Sequence, residues 1–84
     1  MEEAILHLGK RLRYLRRLRN LTQAQLAEQV GLSVNYVSQI ETGVANPKVK
    51  TLFALAQGLD VEIRELFEFG EQGIIRDASK KRKV

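Results

Sequence analysis

The sequence predicts an all-α fold of five helices, and three observations lead to this prediction. Apolar residues recur three and four positions apart along most of the chain. Only one proline interrupts it, and the β-branched residues are scattered rather than alternating. Gly31 and Gly43 each follow an apolar stretch, at a place where helices commonly end. The 84 residues suffice for one domain with a single helical core.

The first helix is predicted over residues 3–19. The predicted buried stripe of this helix consists of Ile5, Leu8, Leu12, Leu15 and Leu18. Acidic residues at its start complement the helix dipole. Six basic side chains fall between residues 10 and 19. Such a cluster suits a polyanionic partner, although solvated helix surface explains each single charge equally well.

The second and third helices are predicted within residues 22–41 and are joined by a tight turn. Thr22 and Gln25 have the spacing of a capping box, which predicts where the second helix begins. Gly31 stands where that helix must end, because glycine adopts the left-handed conformation without a Cβ penalty. Ser33 is then the N-cap of the third helix. The pattern therefore predicts two short helices with a glycine turn between them.

The rest of the chain contains two further predicted helices and a tail. A loop over residues 42–47 precedes a fourth helix, which begins at residue 48 or 49 and ends at Gly58. A fifth helix is predicted from Glu62 to Phe69. These helices define a domain over residues 1–69, and residues 70–84 are predicted to be a flexible basic tail. The tail sequence SKKRKV resembles a nuclear import signal, but we favour a basic arm that adds non-specific DNA affinity.

The third helix has a short polar face that is rich in amide groups. Val37 and Ile40 point inward by periodicity, and the outward candidates are Val34, Asn35, Ser38 and Gln39. Asn and Gln side chains can bond an adenine edge in the major groove, and Val can pack on a thymine methyl group. Two helices with a glycine turn and such a face are what a DNA-reading helix-turn-helix requires.

This pattern closely resembles the phage repressor and Cro-type helix-turn-helix family. The resemblance extends from near Gly9 to about Phe67 and rests on LTQAQLAEQVGLS, YVSQIE, Gly43, Asn46-Pro47 and the leucines of residues 52–59. It implies a lambda-repressor-like domain of five helices that binds double-stranded DNA. Ser33, Val34, Asn35 and Gln39 lie at family positions that reach base edges, and Ser38 joins them as an outward residue.

The resemblance and the local chemistry also predict phosphate anchors. Gln23 matches a family glutamine that clamps the DNA backbone at the start of the second helix, where backbone amides favour anions. The Tyr36 hydroxyl is expected to face solvent and to reach a phosphate. Asn46, Lys48 and Lys50 supply the other anchor, and Lys48 stands where the family often has a serine cap.

Two structural sets complete the predicted site. The family pairs the positions of Arg16 and Glu41 in an ion pair that ties the first helix to the third. The fifth helix has more apolar side chains than one small core needs, so Ile63, Phe67 and Phe69 are predicted at a homodimer interface, against the alternative that they pack within one chain.

The predicted function is a sequence-specific transcriptional regulator that reads a near-palindromic operator as a homodimer. The alternative is an antitoxin or adaptor that binds a protein partner, of unknown identity, and for which DNA binding is secondary. We expect no enzymatic activity, metal or cofactor, because the chain has one histidine and no cysteine. We also expect no membrane association and a cytoplasmic, bacterial or phage setting.

Overall fold

Four α-helices and one 3₁₀ turn make up the fold. The structure is a computed structural model and describes residues 2–68. The helices are α1 (Glu2–Leu18), α2 (Gln23–Val30), α3 (Val34–Glu41) and α4 (Val49–Leu59), and the 3₁₀ turn is Ile63–Phe67. The all-α prediction is confirmed for this range, within which no strand occurs. Phe69 and the predicted tail of residues 70–84 lie outside the described residues.

The predicted fifth α-helix is wrong, because a 3₁₀ turn occupies its place. Five residues are too few for a stable α-helix, whose first turn is costly to form. The backbone also leaves helical geometry at Glu68, which has φ −88° and ψ 90°. In addition, the Glu65 carbonyl accepts a hydrogen bond from Arg11 Nε at 2.7 Å, so a side chain of α1 uses an acceptor that a longer helix would need.

Helix α1 buries a narrower stripe than the sequence predicted. Leu8, Leu12 and Leu15 are buried, but the side chain of Leu18 is 58% exposed. Each step of three residues turns an α-helix by about 300°, so Leu18 lies about 120° around the helix from Leu12. The prediction that Leu18 is buried is therefore wrong.

The boundaries of α2 and α3 agree with the predicted caps. The Gln25 amide donates to Thr22 Oγ1 at 3.0 Å, and the Thr22 amide donates to Gln25 Oε1 at 2.8 Å, which completes the capping box. Gly31 ends α2 in the left-handed region with φ 75°. The Tyr36 amide donates to Ser33 Oγ at 3.0 Å and caps α3. Local sequence therefore specifies this helix pair.

Helix α4 differs from its prediction at its end. Lys48 is its N-cap and forms no side-chain capping bond. The helix continues through Gly58, and the left-handed residue that ends it is Asp60, with φ 58°. A Cβ atom on Gly58 would collide with the Val30 side chain, so this glycine allows α2 and α4 to approach closely. The predicted end at Gly58 is therefore one residue short of the observed last helical residue, Leu59.

One apolar core joins all five elements. Its most deeply buried side chains come from each of them, namely Leu12, Leu26, Val37, Ile40, Leu55, Leu59 and Leu66. Each such side chain stabilises the fold by about 1.5–3 kcal/mol relative to exposure. None of the helices within residues 2–68 is both long and apolar enough to span a bilayer.

Candidate nucleic-acid interface

The outward face of α3 is the first part of the candidate interface. Ser33 caps the helix, Val34 and Asn35 in its first turn are exposed, and Ser38 and Gln39 are half-buried. Val37 and Ile40, on the opposite side of α3, are buried in the core. The five residues predicted to read bases therefore share one helix and its cap, outside the core. A helix that presents short polar side chains in this way can enter the major groove.

The far end of α3 packs closely against α1. A Cβ atom on Gly9 would lie 2.5 Å from the carbonyl oxygens of both Ile40 and Glu41. No real side chain tolerates that distance, so the glycine allows the backbone of α1 to touch the last turn of α3. This contact determines how closely the end of α3 approaches α1.

Arg16 and Glu41 form a two-pronged buried ion pair between the same two helices. Arg16 Nε donates to Glu41 Oε2 at 2.6 Å, and Arg16 Nη2 donates to Glu41 Oε1 at 3.0 Å. The remaining guanidinium nitrogen, Nη1, donates to the Leu21 carbonyl at 2.7 Å. The two residues are only 7% and 5% exposed. The planar fork of arginine matches a carboxylate, and a buried charge needs such a partner.

The carboxylate of Glu41 also binds the first residue of α2. Gln23 Nε2 donates to Glu41 Oε1 at 3.0 Å. One amide hydrogen and the carbonyl oxygen of Gln23 remain for another partner. The capping box uses the N–H groups of Thr22 and Gln25, whereas helix geometry leaves those of Gln23 and Ala24 without intrahelical acceptors. These donors converge at the start of α2, next to the end of α3.

The other residues predicted as anchors lie in different environments. Asn46, Lys48 and Lys50 are exposed on the loop before α4 and on its first turn. Tyr36, which the sequence predicted to face solvent, is half-buried and packs against the core. The contact of its hydroxyl with a phosphate stays a prediction.

The residues predicted at a dimer interface are only partly exposed. Ile63 is half-buried against the core, Phe67 is 37% exposed, and Phe69 lies outside the described residues. Sequence reasoning missed other exposed apolar residues, among them the α4 pair Val49, at 65%, and Phe53, at 56%. Their spacing of four positions places them on one face of α4, and this spacing was the available signal.

Two arginines in the basic cluster have structural roles that the sequence did not reveal. Arg11 binds the Glu65 carbonyl and lies 3.6 Å from Glu68 Oε1. Arg19 Nε donates to the Leu59 carbonyl at 2.7 Å, and its Nη2 donates to the Asp60 carbonyl at 3.0 Å. Arg11 thus ties α1 to the 3₁₀ turn, and Arg19, just after α1, satisfies carbonyl groups at the end of α4.

Helices α2 and α3 form a capped pair that presents an outward polar face, and the end of α3 packs against α1. Such a pair defines a helix-turn-helix DNA-binding domain. The family model described as "Helix-turn-helix" (HTH_3) matches residues 12–66. The chain belongs to this family of DNA-binding transcriptional regulators, which confirms the resemblance found in the sequence.

Individual relatives agree with this assignment. The chain is 38% identical over 69 residues to an immunity repressor protein of Bacillus phage phi105, covering 82% of this chain and 46% of the repressor. It is 39% identical over 57 residues to an uncharacterized HTH-type transcriptional regulator of Methanocaldococcus jannaschii, covering 68% and 86% of the two chains. This chain thus spans about half the length of the phage repressor but most of the archaeal regulator.

Among solved structures, the chain resembles the restriction-modification controller protein C.AhdI from Aeromonas hydrophila. The TM-score is 0.77 at 39% sequence identity, and the match covers 79% of this chain and 96% of the controller. The fold and much of the sequence are therefore shared over nearly the whole length of that protein.

Proposed function

We propose that this chain is a repressor-like regulator that reads a near-palindromic operator as a homodimer, with α3 in the major groove. The observation that carries the proposal is the contrast between the two sides of α3. One side presents Ser33 and Asn35 to solvent beside the half-buried Gln39, while the end of the helix packs against Gly9 and pairs with Arg16. A helix that reads bases needs both an outward polar face and an anchored end, because base contacts require side chains in fixed positions relative to the groove.

Base reading and phosphate anchoring have separate residues in this proposal. Asn35 and Gln39 read base edges, and Val34 packs on a thymine methyl group. Gln23, with the amides at the start of α2, seats one phosphate, while Lys48 and Lys50 seat another across the groove. Because Glu41 holds Gln23 as well as Arg16, the anchor and the reading helix keep a fixed relation.

The dimer contact is proposed along the outer face of α4, where Val49 and Phe53 are exposed, together with the partly exposed Phe67. Ile63 contributes less, because it already packs on the core of its own chain. Pairing two domains about a two-fold axis would place their recognition helices about 34–36 Å apart, one turn of DNA. The operator would then be a near-palindrome.

Selection of bound duplexes from a random DNA pool tests the reading function. We expect an inverted repeat with half-site centres about 10–10.5 base pairs apart, or a multiple of that spacing. Recovery of no preferred sequence by a folded protein would contradict the proposal. The comparison with C.AhdI supports the choice of assay, because that protein, of which the match covers 96%, is a restriction-modification controller.

Sedimentation of variants tests the dimer. Phe53→Glu should yield a folded monomer, because this side chain is 56% exposed and its charge would be desolvated in the interface. Tyr14→Glu is the matched control, since Tyr14 is 52% exposed on α1 and should leave the dimer intact. A wild-type chain that remains monomeric at tens of micromolar and binds one asymmetric site tightly would contradict dimeric reading.

A further inference from the structure

The six basic residues at positions 10–19, in α1 and just after it, divide into two groups in the folded chain. Arg11, Arg16 and Arg19 are bound to backbone carbonyl groups or to Glu41. Within residues 2–68, Lys10 and Arg17 have no hydrogen bond or ion pair, and both are exposed. Arg13 has only a loose contact, with Nε 3.7 Å from Glu41 Oε1, and its side chain is 46% exposed. The fold therefore leaves three cations for an external partner.

These three cations form a single stripe, which we call the α1 basic stripe and define as Lys10, Arg13 and Arg17. Their spacings of three and four residues place neighbours about 5–6 Å apart on one helix face. Seven residues of rise make the stripe about 10 Å long. It lines a shallow groove together with Tyr14 and Leu18. Such an even row of cations suits a repeating anion better than a single one.

The stripe lies next to the proposed DNA anchor. Arg13 Nε and Gln23 Nε2 contact the same oxygen of Glu41. Arg16 and Glu41 cancel each other's charge, so Arg13 adds a net positive charge beside the start of α2. The carboxylate of Glu68 is paired with Arg11, whose guanidinium carbon lies 5.1 Å from the ring centroid of Tyr14, so this nearby negative charge is already neutralised. A polyanion is therefore attracted to the stripe side of the domain.

We infer that the α1 basic stripe is a further phosphate-binding surface that extends the DNA contact beyond the helix-turn-helix. This inference rests on the proposed function, because it takes the duplex seated on α2 and α3 as its ligand. Lys10 and Arg17, at the two ends of the stripe, contact phosphates of the strand that Gln23 seats, and the hydroxyl of the exposed Tyr14 can donate beside them. Such contacts carry no sequence information, so they strengthen binding to any duplex and make it depend on salt.

The salt dependence of DNA binding by the full chain tests this inference. The double variant Lys10→Gln/Arg17→Gln removes two phosphate contacts, so the slope of log K against log salt should become shallower by about 1.8. Between 50 and 200 mM salt, the wild-type chain should then lose about 12-fold more affinity than the variant. The change should be equal on the selected operator and on a scrambled duplex of the same length. Thermal melting should be unchanged, because both side chains are exposed.

Arg64→Gln, which removes one positive charge against two in the double variant, is the control for the loss of a surface charge elsewhere in the domain. Arg64 is exposed and bound only to Glu62, whose hydrogen bond and charge raise the pKa of Arg64, so it is fully charged at every pH of the assay. Its loss should leave the salt slope unchanged. A slope for the double variant that equals the wild-type slope, or that shifts no more than in the control, would overturn the inference.

Two further outcomes distinguish failure of the proposed function from failure of the stripe inference, and a DNA ligand from a protein ligand. A wild-type chain that binds operator and scrambled duplex equally contradicts the proposed function, while the slopes on the scrambled duplex still decide about the stripe. A fluorescent peptide of alternating Glu and Leu residues serves as an acidic protein probe. If that peptide binds the wild-type chain but not the double variant, and the DNA slopes are equal, the stripe binds a protein and the inference is wrong.

Discussion

The buried ion pair between α1 and α3 leads to a prediction about stability. Loss of Arg16 alone should destabilise the fold more than loss of both charges. Arg16→Met removes the cation but keeps an apolar chain of similar length. The Glu41 side chain is fully buried, and it would retain only the Gln23 amide and the distant Arg13. Loss of one partner of a buried pair costs about 3–5 kcal/mol, because the remaining charge is left unpaired.

That cost is comparable with the stability of the whole domain. At about 0.05–0.15 kcal/mol per residue, a domain the size of residues 2–68 has about 3–10 kcal/mol of unfolding free energy. Arg16→Met should therefore lower the melting temperature by at least about 12 °C. The double variant Arg16→Met/Glu41→Gln buries no charge, and its new amide still accepts a hydrogen bond from Gln23. It should be more stable than Arg16→Met alone.

Thermal and urea unfolding of the four species of this double-mutant cycle provide the measurement. We expect a coupling energy at the upper end of the usual range of about 0.5–3 kcal/mol. The exposed pair Glu62–Arg64, with Nε 2.7 Å from Oε1, is the matched control. Its cycle with glutamine at both positions should be additive within error, because solvent screens that pair. Strict additivity at Arg16 and Glu41 would refute the reasoning.

Three further predictions concern the interface and its support. Gln39→Ala should weaken binding to the selected operator by about 1–3 kcal/mol and relax one base position, which repeated selection measures; unchanged preference would remove Gln39 from the reading set. Lys50→Ala should weaken binding to all duplexes alike and reduce the salt slope by about one unit, as measured by titration at several salt concentrations. Gly9→Ala should lower the unfolding free energy by about 1–3 kcal/mol, because its Cβ would meet two carbonyl oxygens at 2.5 Å. The control Gly31→Ala has open space around its Cβ and carries only the strain of φ 75°, so equal losses would contradict the close-packing argument.

The sequence by itself determined the features that depend on neighbours within about four residues. The capping box of Thr22, the left-handed Gly31 and the Ser33 cap are local hydrogen-bond and backbone effects, and the structure reproduces each of them. The outward face of α3 likewise follows from helical periodicity. The family resemblance added the positions of Arg16 and Glu41, which no local rule would have paired across 25 residues.

Only the tertiary structure decided what depends on how the helices pack. Of six basic residues close together in the sequence, Arg11 and Arg19 bind backbone carbonyl groups, Arg16 forms a buried ion pair, and the other three make up the exposed α1 basic stripe. Gly58 proved to be a point of close helix contact and Asp60 the true helix end. The physical reason is that the rotation and position of one helix relative to another depend on the packing of all core side chains together. The residues next to a side chain in the sequence therefore do not determine which group it contacts on another helix.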